Sequence, residues 1–312
     1  MEIHIDSKDK QKRVDKKMSE IFSKFQNVSL TRSIIQKYLT NGCKVNGGVP
    51  KKSYKLNEGD TLFVDLEYWE KISEDLDLSS EIKAQNGNLD IRYENDDFIV
   101  LHKPKGLVVH PGVGNRENTL ANYLRYYLES KNEYDSLMDR CGIVHRLDKG
   151  VSGLMVVAKN KLTQEYLKGE FAKKNVIKIY HAYLEESNNI EQKIDIREYL
   201  KEMSIDLQPW KNWLKVEGYI GRSKSNRYKM EFKKYEFGGS KYALSYILFS
   251  GREALIKIDT GRMHQIRVTL AYLGYHIQGD SLYGNGCGDE IMLESVLLSF
   301  QKRSGERLIF TI

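Results

Sequence analysis

Cysteine is scarce in this 312-residue chain: Cys43, Cys141 and Cys287 are odd in number and widely separated. That excludes a disulfide framework and a CxxC metal knuckle. Long apolar runs are missing as well. No stretch approaches the roughly 18 apolar residues that would span a bilayer, and the opening MEIHIDSKDKQKR is charged where a signal peptide needs an apolar segment. A cytoplasmic location is the default expectation. There is no internal repeat, no low-complexity tract and no dinucleotide fingerprint: GVGNRE and GNGCGD lack the third glycine at the required spacing.

What is present is a 40% hydrophobic composition, enough for a substantial core, in a length that favours two domains. Charge is unevenly placed. Residues 11–66 carry 11 Lys/Arg against 5 Asp/Glu, whereas residues 67–97 carry 3 against 10, within a net charge of +6. Basic regions flanking an acidic strip raise the expectation of a polyanionic partner, nucleic acid first.

Helical spacing of Val14, Met18, Ile21, Phe22 and Phe25, then of Ile34, Ile35, Tyr38 and Leu39 before Asn41-Gly42, predicts two short helices. Small strands follow in KVNGG, SYKL and TLFVDL, giving an αα-β module over residues 11–66. Arg32, Lys37, Lys44, Lys51, Lys52 and Lys55 are candidates to line one surface of it. Residues 67–88 are acidic and lack a sustained period, and read as a linker.

A second domain is expected over residues 89–312. Its predicted elements are strand FIVL, helix TLANYLRYYLES, a strand LMVVA buried on both faces, a helix near 162–173 and strand VIKIYHAYL. After an aperiodic stretch at 185–213, read as an insertion, come further strands and a helix at 262–273. Strands and helices interleave without strict βαβ alternation, so the expected class is α+β with a mixed, largely antiparallel sheet flanked by helices.

Within the helix at 262–273, Met263, Ile266, Arg267 and Leu270 share one stripe, which places a guanidinium on an apolar face. Left unpaired there it would cost about 3–5 kcal/mol. Asp148, in the loop GIVHRLDKGVSGL, is a candidate partner; Asp259 and Asp280 are alternatives, as is an Arg267 that reaches solvent.

HRLDKGVSGLMVVAK resembles the HRLDxxTSGL signature of the RluA-type pseudouridine synthases, which isomerise specific uridines in RNA. DDFIVLHKPKGLVVHPG, KIYHAYL, TGRMHQIRV and GYHIQGDSLYG are similar to that family's other motifs, in its order. Residues 11–66 resemble the small RNA-binding domain named after ribosomal protein S-four. The resemblance implies that Asp148 is the catalytic aspartate and Arg267 its salt-bridge partner, that Arg146 fills the RNA stack left by a flipped nucleotide, that Tyr180 stacks on the uracil and assists proton removal at carbon 5, and that Ile266 gives the ring an apolar contact. His145 belongs to the same substrate-binding loop. Without the motif, Tyr180 would read as a core aromatic in a strand.

The chemistry so implied needs neither metal nor cofactor. Attack by Asp148 at ribose carbon 1, attack at uracil carbon 6, and a glycal-type intermediate all remain open. Val151, Met263 and Thr269 depart from the pattern, replacing the usual Thr, Thr and His. The expected activity is pseudouridine formation by a monomer, in large-subunit ribosomal RNA; transfer RNA, or a noncatalytic ribosome-assembly role on the same fold, are the alternatives.

Overall fold

The computed structural model describes residues 1–24, 30, 32–80, 82–112, 115–185, 194–203, 209–226, 228–284 and 290–312. Residues 285–289, with Cys287, lie outside the described residues, as do 186–193 and 204–208 within the stretch 185–213. The chain forms two units, Met1–Glu81 and Ile82–Ile312. Among the described residues no helix is long and apolar enough to cross a membrane.

The first unit contains β1 (Glu2–His4), α1 (Val14–Phe22), α2 (Arg32–Gly42), β2 (Cys43–Val45), β3 (Thr61–Val64) and α3 (Leu66–Ser80), with β3 central in an antiparallel sheet. Val14, Met18 and Phe22 of α1 pack with Ile35 and Leu39 of α2, as the periodicity predicts. Two boundaries differ from the sequence reading. The unit starts at β1 rather than at residue 11, because β1 pairs with β3. Residues 66–80 are a helix rather than a linker, since Leu66, Trp69 and Ile72 form a short apolar stripe that packs on this core. The Trp69 indole N–H donates to the carbonyl of Gly42 at 2.7 Å. A Cβ at Gly42 would lie only 2.3 Å from that nitrogen, so the close approach requires glycine. The rest of the supposed linker belongs to the second unit: Asn122 donates to the Lys83 carbonyl and Arg125 to that of Ile82.

The second unit is built on β4 (Asp90–Glu94), β5 (Phe98–Lys103), β6 (Ser152–Ala158), β7 (Ile177–Tyr183), β8 (Leu214–Arg222), β9 (Met230–Lys233), β10 (Lys241–Ser250), β11 (Glu253–Ile258), β12 (Leu293–Gln301) and β13 (Arg307–Thr311). They form one sheet, ordered β4-β5-β6-β12-β7-β11-β10-β8-β9 with β13 on β12, in which β6 and β12 are the one parallel pair. Helices α4 (Leu120–Ser130), α5 (Lys161–Ala172), α6 (Ile196–Met203) and α7 (Gln265–Tyr272) complete it. This is the expected mixed, largely antiparallel α+β architecture, and β6 is buried along its whole length.

Alternation along the central strands sends residues to two different cores. Tyr180 and Ile256 join the main cluster, while their neighbours Ile179 and Leu255 join a second one, with Ile196 and Met203 of α6. The stretch read as an aperiodic insertion therefore supplies a helix that covers one face of the sheet. Helix α7 is shorter than the predicted 262–273. His264 precedes it in a left-handed conformation (φ 55°), and Met263 stands exposed before the helix instead of sharing its stripe.

Candidate active site

The HRLD loop is fastened to the sheet by a strand that stops pairing early. β12 runs beside β6 only at Ser152 and Gly153, and a Cβ at Gly153 would meet the backbone nitrogen of Ser295 at 2.4 Å. Beyond that crossing the edge of β6 needs other partners, because a buried backbone N–H is costly to leave unpaired. The loop provides them: Ile143 bridges to Val157, and the Val156 N–H donates to Nε2 of His145 at 3.0 Å. Accepting that bond fixes the imidazole with its proton on Nδ1. Burial, helped by the charge of Lys178, holds His145 well below its usual range. His145 also stacks on Phe171, with ring centroids 4.8 Å apart.

A second anchor comes from β5. Lys103 is fully buried, and its ammonium donates to the carbonyls of Pro104 and Leu107 at 2.8 and 2.9 Å and of Lys149 at 3.4 Å. Burial pushes its pKa down to about 8, against the opposing charge of Asp148. The HKPKG turn and the HRLD loop are thus tied through one cation.

Six of the predicted residues line a single cavity of about 860 Å³: His145, Arg146 and Asp148 from the loop, Tyr180 from β7, Ile266 and Arg267 from α7. Arg146 is exposed, Asp148 partly buried and Tyr180 buried. Burial, reinforced by the charge of Asp148, raises the Tyr180 phenol above its ordinary value and keeps it protonated.

Arg267 does not pair with Asp148. Its Nε and Nη2 donate to the two oxygens of Asp280 at 2.8 and 2.7 Å, one of the alternatives left open by the sequence. Asp280 is 1% exposed and also accepts the backbone N–H groups of Leu282 and Tyr283. Burial alone would raise that carboxyl, but the bonds and charge of Arg267 with the two amides lower it. The guanidinium also lies 5.1 Å from the Tyr283 ring centroid, and the Tyr283 hydroxyl accepts from the Met230 N–H and contacts Nδ1 of His264. A buried fork needs two oxygens in its own plane, and the turn at Asp280 presents them. Asp148 acts on Arg267 only through its field, which adds to Asp280 in raising the guanidinium against burial. Among the described residues the Asp148 carboxylate accepts no hydrogen bond and forms no ion pair.

The cations predicted for the first unit have separate fates. Arg32 donates to fully buried Asp15 at 2.9 Å, and Lys37 to the hydroxyl of Tyr38. Lys44, Lys51, Lys52 and Lys55 are exposed. Sequence reasoning missed Lys103, Lys178, Tyr283 and His264, and named Asp280 only as an alternative partner of Arg267; the signal available for Lys103 and Asp280 was their place inside HKPKG and QGDSLYG.

A family model described as RNA pseudouridylate synthase matches residues 97–272, a span that holds Asp148, Tyr180 and Arg267. Ribosomal large subunit pseudouridine synthase D of Haemophilus ducreyi is 30% identical over 303 residues, covering 94% of this chain and 80% of the relative. The protein of the same name from Vibrio parahaemolyticus is 32% identical over 276 residues, covering 87% and 73%. Human RNA Pseudouridylate Synthase Domain Containing 1 shares the fold, with a TM-score of 0.54 and 22% identity over 73% of this chain and 85% of that one. With the cavity, the motif loop and these matches in agreement, the chain belongs to the RNA pseudouridine synthases, as an isomerase of the RluA type.

Proposed function

We propose that this enzyme converts specific uridines of large-subunit ribosomal RNA to pseudouridine, with Asp148 as the acid that engages the nucleoside. The observation that carries this reading is the Asp148 carboxylate, partly buried in a cavity with Tyr180 and Ile266 and without a hydrogen bond or ion pair among the described residues. A carboxylate oxygen that none of these neighbours holds is available to an electrophilic carbon of the substrate. The substrate assignment rests on the similarity to the two ribosomal large subunit pseudouridine synthases named above.

The target base must first leave the RNA stack, at a cost of a few kcal/mol. Exposed Arg146, beside Asp148 on the loop, fills the gap. Tyr180 and Ile266 then hold the uracil between a phenol ring and an aliphatic wall. The bond from ribose carbon 1 to uracil nitrogen 1 breaks, the base turns, carbon 5 bonds to carbon 1, and the proton from carbon 5 is replaced by one on nitrogen 1. Electrons neither enter nor leave the nucleoside, so neither metal nor cofactor is called for. Because the Tyr180 phenol stays protonated, it serves as a ring surface and hydrogen-bond donor before it can receive a proton. Fixed by Asp280, Arg267 orders the wall opposite Asp148.

The N-terminal unit is an RNA-binding domain of the ribosomal protein S-four type, in which Lys37, Lys44, Lys51 and Lys52 meet phosphates while Arg32 braces Asp15. All the proposed catalytic groups lie on one chain, which supports the reading of the enzyme as a monomer. Carbodiimide mapping of total RNA from cells with and without the protein tests this reading. Reverse-transcription stops in large-subunit ribosomal RNA that depend on the protein are expected; stops confined to transfer RNA reassign the substrate, and none at all removes the activity.

A further inference from the structure

Several cations that line the cavity have no role in the reading above, and of these Lys178 stands on the same strand as Tyr180. Lys178 and Tyr180 sit two residues apart on β7, about 7 Å along one face of the strand, and both line the cavity that holds Asp148. Ile179 between them points into the opposite core. The Lys178 ammonium lies 5.4 Å from the ring centroid of Phe171, and among the described residues it has no ion pair and no hydrogen bond. The nearby acid Asp259 is held instead by Lys257. Enclosed lysines are normally paired, and this one is open to the cavity instead.

The reaction generates the missing partner. When the bond from carbon 1 to nitrogen 1 breaks, its electron pair leaves with the base, and the charge spreads from nitrogen 1 to the two carbonyl oxygens. If Asp148 instead adds at carbon 6, the electrons displaced from the ring double bond reach the oxygen on carbon 4, one of the same two. Either route makes the uracil anionic while it lies against Tyr180, within the reach of a lysine stem rooted two residues away. We propose that the Lys178 ammonium is the cation that stabilises negative charge on the uracil as it separates from the sugar and turns. Fixed charge aimed at a site of developing charge is the most effective form of transition-state stabilisation in a water-poor cavity. Burial lowers the Lys178 pKa to about 8, partly offset by Asp259, so the group remains mostly charged at neutral pH.

The inference rests on the pseudouridine reaction assigned above, and its test separates the two. Total RNA from cells lacking the protein is incubated with excess enzyme, and pseudouridine is followed by mass spectrometry to obtain the maximal single-turnover rate and the half-saturating enzyme concentration. Lys178→Met is expected to lower the maximal rate about a hundredfold with little change in half-saturation. Lys178→Arg, which keeps the charge, retains most of the rate, and Lys178→Gln serves if the Met variant does not fold. A second RNA, from the same cells grown with 5-fluorouracil, carries a more acidic base that leaves more easily. On it, loss of 5-fluorouridine should show a several-fold smaller deficit. An unchanged rate in the Met or Gln variant, a loss confined to half-saturation as for a backbone phosphate contact, or equal deficits on both RNAs overturns the inference. Wild-type enzyme that forms no pseudouridine overturns the underlying reaction instead.

Discussion

The two units treat buried charge in opposite ways. In the first, fully buried Asp15 accepts bonds from Arg13, Arg32 and Gln36, and Asp9 is bound by Lys12 and Lys17. In the second, Asp148 and Lys178 line one cavity, and among the described residues neither side chain has an ion pair or a hydrogen bond. Yet Arg267, which lines the same cavity, is paired with Asp280 as completely as any group in the first unit. Burial of charge alone therefore does not mark a site. A group marks one when the fold could have neutralised it and has left it open, because desolvating an unpaired charge is costly unless a ligand completes it.

Substitutions can break this contrast at graded cost. Asp148→Asn keeps the shape of the loop and removes the reactive charge. Pseudouridine formation should fall by about a thousandfold or more, with RNA affinity by filter binding nearly unchanged; a variant within tenfold of wild type would remove Asp148 from the chemistry. Asp280→Ala leaves Arg267 with an uncompensated charge and should cost about 3–5 kcal/mol in urea denaturation. A cost near zero would mean that Asp148 takes over the guanidinium, and activity should then be lost with stability intact. His145→Ala strands the Val156 amide and removes the ring stacked on Phe171, for a loss of about 1–3 kcal/mol seen as a lower melting temperature.

The smallest effect concerns pH. Burial would raise the Asp15 carboxyl, but the bonds from Gln36, Arg13 and Arg32 outweigh it and hold the pKa at about 2, against an ordinary 3.8. A depressed folded-state pKa contributes stability that is present above pH 4 and lost as pH falls through 2. Asp15→Asn should thus flatten the decline in stability between pH 4 and pH 2. An unaltered decline would show that the three donors do not hold that carboxylate in solution.

Much of this was legible in the sequence because periodicity reports local burial. The apolar stripe of α4, the continuous run of β6 and the spacing of α1 and α2 were each found from it. Helix α3 was missed because its apolar stripe is short and the sequence LEYWEKISEDLDLSS is rich in acids. The motifs assembled Asp148, Tyr180 and Arg267 into one cavity, but the partner of Arg267 was misassigned. Its stripe required a carboxylate, and the sequence offered three; only the turn at 279–283 settles which one meets the fork in plane. Lys103 drew no role for a related reason: its place in HKPKG marks a motif, but nothing in a lysine at a strand end says that three carbonyls converge on it.

The bond from the Val156 amide to His145 turns the HRLD loop into a stand-in for the strand that β12 fails to provide. Opening of the loop must therefore uncover one particular amide in the middle of an otherwise protected strand. Hydrogen exchange at Val156 reads the free energy of that opening directly, and slower exchange when RNA is bound would report how firmly substrate closes the loop around it.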